Sequence, residues 1–203
     1  MKNYVDGGEA ILEAFRKLKI DYILSSPGSE WSPVWEALVR QKTGNRAGPA
    51  YIDCWHETLA VNMAMGYTQY SGKMQAVLLH AGVGLMQGEI GIHTARNFEI
   101  PMVVMSGEST TYGEDPSVEP GAQWYGSLGI VGGPHRIVEP VTKWASQATS
   151  VHTLYEQTVR AGEMAQHIPQ APTYLNVPLE HMLSEWTPPK NQRATPAAAA
   201  ASK

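Results

Sequence analysis

The chain has 203 residues, of which 43% are hydrophobic and 17% are charged, so it can fold around a substantial core. Fifteen lysines and arginines against nineteen aspartates and glutamates give a net charge of −4, which provides no basic field for a nucleic acid. The single cysteine, Cys54, excludes a disulfide framework and a cysteine-based zinc site, and no run of 18 apolar residues is available to span a membrane. Because the first residues contain no apolar signal segment, we expect a soluble, cytoplasmic protein.

Hydrophobic periodicity alternates between helix and strand along the chain. Apolar residues at helical spacing predict helices over residues 8–19, 31–41, 57–70, 85–97 and 151–166. Short apolar runs closed by turn residues predict strands over residues 20–24, 50–54, 75–79, 101–106 and 173–177. This alternation is typical of βαβ units. We therefore predict an α/β fold, with a three-layer, doubly wound, mostly parallel six-stranded sheet and helices on both faces.

Two segments interrupt this alternation. Residues 107–134 contain seven glycines and three prolines, and a loop of this length is typically functional or covered by a partner. We therefore expect it to lie against another subunit. Nine methionines and six tryptophans beside few charges also favour a covered surface, although an ordinary filled core gives the same composition. Residues 187–203 predict a disordered polar and alanine-rich tail after a single domain over residues 1–186.

Ligands of doubly wound sheets bind beyond the carboxyl ends of the strands, so the residues that follow the predicted strands are the candidates. Glu57 follows a strand and opens a helix, where it is either a helix-start charge favoured by the dipole or a carboxylate held for a ligand. His80 ends another strand, where it either bonds nearby backbone or contacts a ligand. Ser29 is placed to cap the next helix. The glycine turn over residues 82–88 follows an interior strand with GxGxxxG spacing, which is a weak nucleotide signal.

The histidines do not form a metal motif. The pair His56-Glu57 lacks the second histidine of HExxH, and the other histidines show no ligand spacing. We therefore predict that this chain alone forms no metal site.

Several segments in one order resemble a known family. They are YILSSPGSEWSPVWEAL at residues 22–38, HETLAVNMAMGYTQYSG at 56–72, the glycine turn and VVMSGE within 80–108, PVTKW at 140–144 and PTYLNVP at 172–178. Together they are similar to the N-terminal pyrimidine-binding (PYR) domain of thiamine diphosphate enzymes of the acetolactate synthase and benzoylformate decarboxylase group. That group makes or breaks a C–C bond next to a carbonyl, as 2-oxo acid decarboxylases, lyases or carboligases.

The resemblance implies roles for individual residues. Glu57 matches the glutamate that hydrogen-bonds N1′ of the cofactor aminopyrimidine and favours the tautomer that activates C2. The other residues that it implies at the cofactor are Pro27, Gly28, Gly84 and Gln87. Those that it implies at the substrate pocket are Ser29, His80 and Gln123.

The sequence departs from the family at the diphosphate end of the cofactor. The family binds diphosphate and Mg²⁺ through a GDG…N motif in a second domain, and none of the four aspartates here lies in GDG. We therefore expect thiamine diphosphate to be shared with, and Mg²⁺ held by, a partner chain in a hetero-oligomer with two or more copies of each. Alternatively, the sequence is a portion of a longer protein. Two other hypotheses stay open: an NAD- or nucleotide-binding oxidoreductase that uses residues 82–88, and a non-catalytic binding module.

Overall fold

The computed structural model describes residues 5–108 and 133–188. The elements in chain order are α1 (Gly7–Lys17), β1 (Tyr22–Ser26), α2 (Ser32–Thr43), β2 (Ala50–Asp53), α3 (Glu57–Ser71), β3 (Gln75–Leu79), α4 (Val83–Asn97), β4 (Met102–Glu108), α5 (His135–Val138), β5 (Trp144–Gln147), α6 (Val151–Gln166), β6 (Thr173–Pro178) and α7 (Leu179–Leu183). A short 3-10 turn, Ser29–Trp31, precedes α2.

The strands form one sheet in the order β2-β1-β3-β4-β6-β5, and every pair is parallel. Leu24 in β1 lies opposite Ile52 on one side and Val77 on the other. Because each crossover between parallel strands needs a connection across a face of the sheet, helices cover both faces. The predicted α/β class and doubly wound six-stranded sheet are confirmed, and the sheet is wholly parallel.

Alternate residues of each strand point to opposite faces and divide the core in two. On one face Ile23 and Leu78 pack in a cluster that includes residues of α1, α2 and α6. On the other face Leu24 and Val77 pack with residues of α3 and α4. Each fully buried aliphatic side chain contributes roughly 1.5–3 kcal/mol, so both layers are tied firmly to the sheet.

A group of charged side chains, which we call the α1–α2 ion network, fixes the first layer. Asp6 caps α1 by accepting a hydrogen bond from the backbone N–H of Glu9 at 2.9 Å, and it also pairs with Arg40 of α2 at 3.0 Å. Arg16 lies 2.8 Å from the carboxylates of both Glu9 and Glu13. Each carboxylate of the network therefore faces at least one guanidinium group.

Some predicted boundaries differ from the structure. The strand predicted over residues 20–24 begins two residues later, because α1 is followed by a turn in which Lys19 has a positive φ of 58°. Strand β5 was not predicted, because its four half-buried residues WASQ at the sheet edge form no continuous apolar run. The short helices α5 and α7 were missed because one turn carries no periodicity.

Two predictions concern segments that are largely outside the described residues. Most of residues 107–134, and nearly all of the predicted tail 187–203, belong to this group. The domain extent of residues 1–186 therefore stays a prediction.

Near the end of this predicted domain, Trp186 is 3% exposed and stacks on Tyr155 with ring centroids 5.8 Å apart. In the described ranges, no helix combines the length and the apolar character needed to cross a membrane.

Candidate active site

Glu57 is the first residue of α3 and follows β2 by a short turn. The helix is capped by His56, whose Nδ1 accepts a hydrogen bond from the backbone N–H of Thr58 at 3.2 Å. Because the cap is supplied by His56, the half-buried Glu57 carboxylate is not consumed in starting the helix. It forms no hydrogen bond or ion pair with any residue in the described parts of the chain. It is thus a carboxylate at the positive end of a helix, available to a ligand.

Gly84 lies between Glu57 and His80. A Cβ atom at Gly84 would stand 2.9 Å from Oε1 of Glu57 and 2.8 Å from Cβ of His80, closer than side chains approach each other. A bare backbone in the first turn of α4 is therefore needed for these two side chains to come so near. The hydroxyl of Thr58 donates to the carbonyl of Gln87 at 2.8 Å and ties the start of α3 to α4.

His80 is paired with a carboxylate that the sequence analysis did not identify, that of Glu30. Nδ1 of His80 lies 2.9 Å and 3.1 Å from the two Glu30 oxygens, and the Glu30 side chain is 0% exposed. The backbone N–H of Ala81 also donates to Glu30 Oε1 at 2.8 Å. The hypothesis that His80 only bonds nearby backbone is therefore wrong, because its Nδ1 faces a buried carboxylate.

The pKa of His80 is raised above its usual value of 6.5. The main cause is the hydrogen bond with Glu30; burial opposes the shift, and the negative charges of Glu30 and Glu57 support it. Glu30, His80 and Glu57 thus form a short line of titratable groups along the carboxyl edge of the sheet, across β1, β3 and the start of α3.

The structure brings some of the predicted site residues together and leaves others apart. Gly28 packs against both His80 and Glu30, and a side chain there would collide with them. Ser29 is exposed and begins the 3-10 turn, so it does not cap α2 as expected; α2 starts at Ser32 with no side-chain cap. Pro27 instead lines a 440 Å³ cavity with residues of α2 and β2. The side chain of Gln87 is exposed.

Gln123 lies outside the described residues, so its place at the substrate pocket stays a prediction.

Glu30 could have been noticed in the sequence as the one charge in the otherwise uncharged stretch SSPGSEWSPVW at residues 25–35. Its burial and its partner on β3 depend on the pairing of two strands about fifty residues apart, which periodicity does not reveal.

An open parallel sheet with a helix-start carboxylate and glycine turns at its carboxyl edge is the arrangement in which α/β domains bind their ligands. A family model described as "Thiamine pyrophosphate enzyme, N-terminal TPP binding domain" matches residues 5–128. The chain belongs to this family.

Named relatives agree with this assignment. The acetolactate synthase large subunit of Haemophilus influenzae is 31% identical over 104 residues, which is 51% of this chain and 17% of that protein. The mitochondrial acetolactate synthase catalytic subunit of Saccharomyces cerevisiae is 28% identical over 172 residues, 85% of this chain and 23% of that protein. The 2-hydroxyacyl-CoA lyase 2 of Danio rerio is 23% identical over 190 residues, 91% of this chain and 28% of that protein. The chain therefore spans less than a third of the length of each.

The residues present fit the pyrimidine end of thiamine diphosphate. A half-buried carboxylate with no hydrogen-bond partner among the described residues is suited to a ring nitrogen that carries a proton, and the lack of a side chain at the buried Gly84 lets Glu57 and His80 lie close to the glycine turn. In the described ranges, no group of three or more His, Cys, Asp or Glu side chains is placed to hold a metal ion.

Proposed function

We propose that this chain is the pyrimidine-binding subunit of a heteromeric, cytoplasmic thiamine diphosphate enzyme that makes or breaks a C–C bond next to a carbonyl. A second chain supplies the domain for the diphosphate and Mg²⁺. Two findings support the proposed chemistry: the family match and relatives named as acetolactate synthases and a lyase. These 203 residues contain no GDG, so the proposal takes the diphosphate ligands from outside them.

The observation that carries the proposal is the position of Glu57. Its carboxylate is available at the start of α3, next to the backbone of Gly84. In that position it binds a protonated ring nitrogen, holds the proton there and orients the pyrimidine against the glycine turn. The bound cofactor supplies a carbon that adds to a carbonyl and accepts the electron pair of the broken bond.

The outer surface of α3 and α4 supports a partner chain. Exposed apolar side chains recur at helical spacing on the packed helices α3 and α4 and just before α3, and we call this set the α3–α4 face: Trp55, Leu59, Met63, Tyr70, Val83, Met86 and Ile90. Trp55 is 98% exposed and lies two residues before Glu57, and Val83 adjoins Gly84. The face therefore starts at the candidate site, and a chain that covers it also closes over a cofactor held by Glu57. This continuity favours the diphosphate-binding chain as the occupant.

The partner requirement is tested by titration calorimetry with thiamine diphosphate and Mg²⁺. We expect weak binding to this chain alone and tight, stoichiometric binding after addition of a chain that contains GDG, because diphosphate and metal ligands come from that chain. Tight binding without the second chain would overturn the split-site proposal. The candidate partner is recognised by an open reading frame, next to that of this chain, with GDG followed by two asparagines.

The role of Glu57 is tested by Glu57→Gln in the assembled enzyme. The substitution keeps size and hydrogen-bonding capacity but removes the charge, so turnover and deuterium exchange at the cofactor C2 should fall by about 10²-fold or more. Asp53→Asn is the matched control, because Asp53 is an exposed carboxylate four residues earlier at the end of β2. If exchange in Glu57→Gln equals that of the control, Glu57 is only a helix-start charge.

A further inference from the structure

Glu30 is a buried acidic side chain to which the proposed function gives no role. It lies in the turn after β1, beneath Pro27 and Gly28, with its side chain 0% exposed. Removal of a carboxylate from water is unfavourable unless donors replace the lost hydration. Here the donors come from the two residues that follow β3: the ring of His80 and the backbone N–H of Ala81.

Three strand ends hold Glu30 in place. Its own turn follows β1, its two partners follow β3, and its side chain lies against the bare backbone of Gly107 in β4, where a Cβ would collide with it. Gly28 leaves the equivalent gap for the His80 ring. The pair therefore occupies space that these two glycines leave free of side chains.

The contacts also fix the position of the ring hydrogen. Glu30 Oε1 already accepts from the N–H of Ala81, and both Glu30 oxygens face Nδ1 of His80. A carboxylate only accepts hydrogen bonds, so Nδ1 is the donor and carries a hydrogen. The other nitrogen, Nε2, is then the one whose proton can come and go.

We propose that Glu30 is a positioning residue: it holds His80 in a carboxylate–histidine dyad, with the hydrogen on Nδ1, so that Nε2 is the proton-exchanging atom of the ring. The use of this dyad in catalysis rests on the proposed function. The dyad itself is a property of this chain and is measurable without cofactor or partner. The raised pKa of His80 agrees with the pairing.

The test is imidazole nitrogen NMR of the chain at a series of pH values, with the His80 signals assigned from their loss in His80→Gln. In the wild-type chain we expect the hydrogen of the neutral ring on Nδ1 and a His80 titration above the usual 6.5. In Glu30→Gln the amide N–H₂ donates to Nδ1, so the hydrogen should move to Nε2 and the titration should move to lower pH. Glu36→Gln, an exposed carboxylate on α2 with side-chain exposure of 71%, is the matched control and should leave both signals unchanged.

A wild-type His80 with its hydrogen on Nε2 would overturn the proposal, and so would a Glu30→Gln variant with an unchanged His80 signal. The wild-type measurement alone decides the question if Glu30→Gln does not fold. In the assembled enzyme, Glu30→Gln should lower kcat/KM by at least about tenfold and shift the limb of the pH profile that reports His80. If the NMR signature is present but the assembly has no thiamine diphosphate activity, the proposed function fails and the dyad remains. If Glu57→Gln abolishes C2 exchange but Glu30→Gln changes neither signature nor profile, the dyad fails instead.

Discussion

The two helical layers of this molecule differ in what they present outside the sheet. The layer with α1 and α2 carries the α1–α2 ion network, in which Arg16 has a side-chain exposure of only 10% and bridges two carboxylates. The layer with α3 and α4 carries the apolar α3–α4 face, in which Ile90 is 78% exposed. The first turn of α3 contains one carboxylate, that of Glu57, and the first turn of α4 contains none. The carboxylates of the network pair with arginines of the same layer. The second layer leaves apolar surface and a carboxylate for another molecule.

This difference indicates that stability and function are divided between the layers. A buried charge that is paired with several opposite charges helps to hold the helices in one arrangement, and it is not available to bind another molecule. An exposed apolar face with an available carboxylate contributes little to folding and much to association. Substitutions in the two layers should therefore change different measured quantities.

The largest expected effect is on stability, in Arg16→Met. The substitution removes the guanidinium that lies 2.8 Å from both Glu9 and Glu13. Because Arg40 stays 3.3 Å from Glu9, and Arg46 stays near both carboxylates, the loss should be at most about 3 kcal/mol, the cost of an unpaired buried charge. Urea unfolding should show this loss, while affinity for the partner chain stays unchanged. Arg160→Met, on an exposed position of α6, is the control and should change the unfolding free energy by less than about 0.5 kcal/mol. Equal effects of the two substitutions would contradict a structural role for the network.

The next effect is on association, in Ile90→Lys. A charge on the α3–α4 face should weaken binding of the GDG-containing chain by about tenfold or more, measured by sedimentation, because a lysine there loses hydration on docking. Folding should change little, since the side chain is 78% exposed. Val39→Lys is the matched control: Val39 is 61% exposed on α2, in the other layer. Wild-type affinity in Ile90→Lys would place the partner on a different surface.

The smallest effect is the pH dependence of stability that comes from His80. Its pKa is raised in the folded chain by Glu30, so the folded state binds the proton more tightly than the unfolded state does. The stabilisation is complete below the usual value of 6.5 and is lost as the pH rises through the folded pKa. Urea unfolding at increasing pH should show this decline in the wild type and a flatter curve in Glu30→Gln. The same slope in both proteins would mean that another group is responsible.

Much of the fold was predictable because its signals are local. Consecutive residues form the apolar runs of β1, β3 and β4 and the amphipathic patterns of α1 and α6. The joint placement of Glu57 and His80 was also predictable, since parallel strands end at one edge of the sheet. The burial of Glu30 was not, because it depends on Gly28 in its own turn and on Gly107 near the end of β4, two strands away in the sheet. The edge strand β5 was missed because half-burial in four residues leaves almost no pattern.

The two ends of the sheet have a consequence for how copies of this chain meet one another. Both edge strands, β2 and β5, are only four residues long, and neither contains a fully buried residue. Short edges offer few free backbone groups to an incoming strand, and natural proteins use them to prevent fibre-like stacking. Assembly through strand addition is thereby disfavoured at either margin. Contacts between chains are left to helical surfaces, where side-chain shape can select one partner over another.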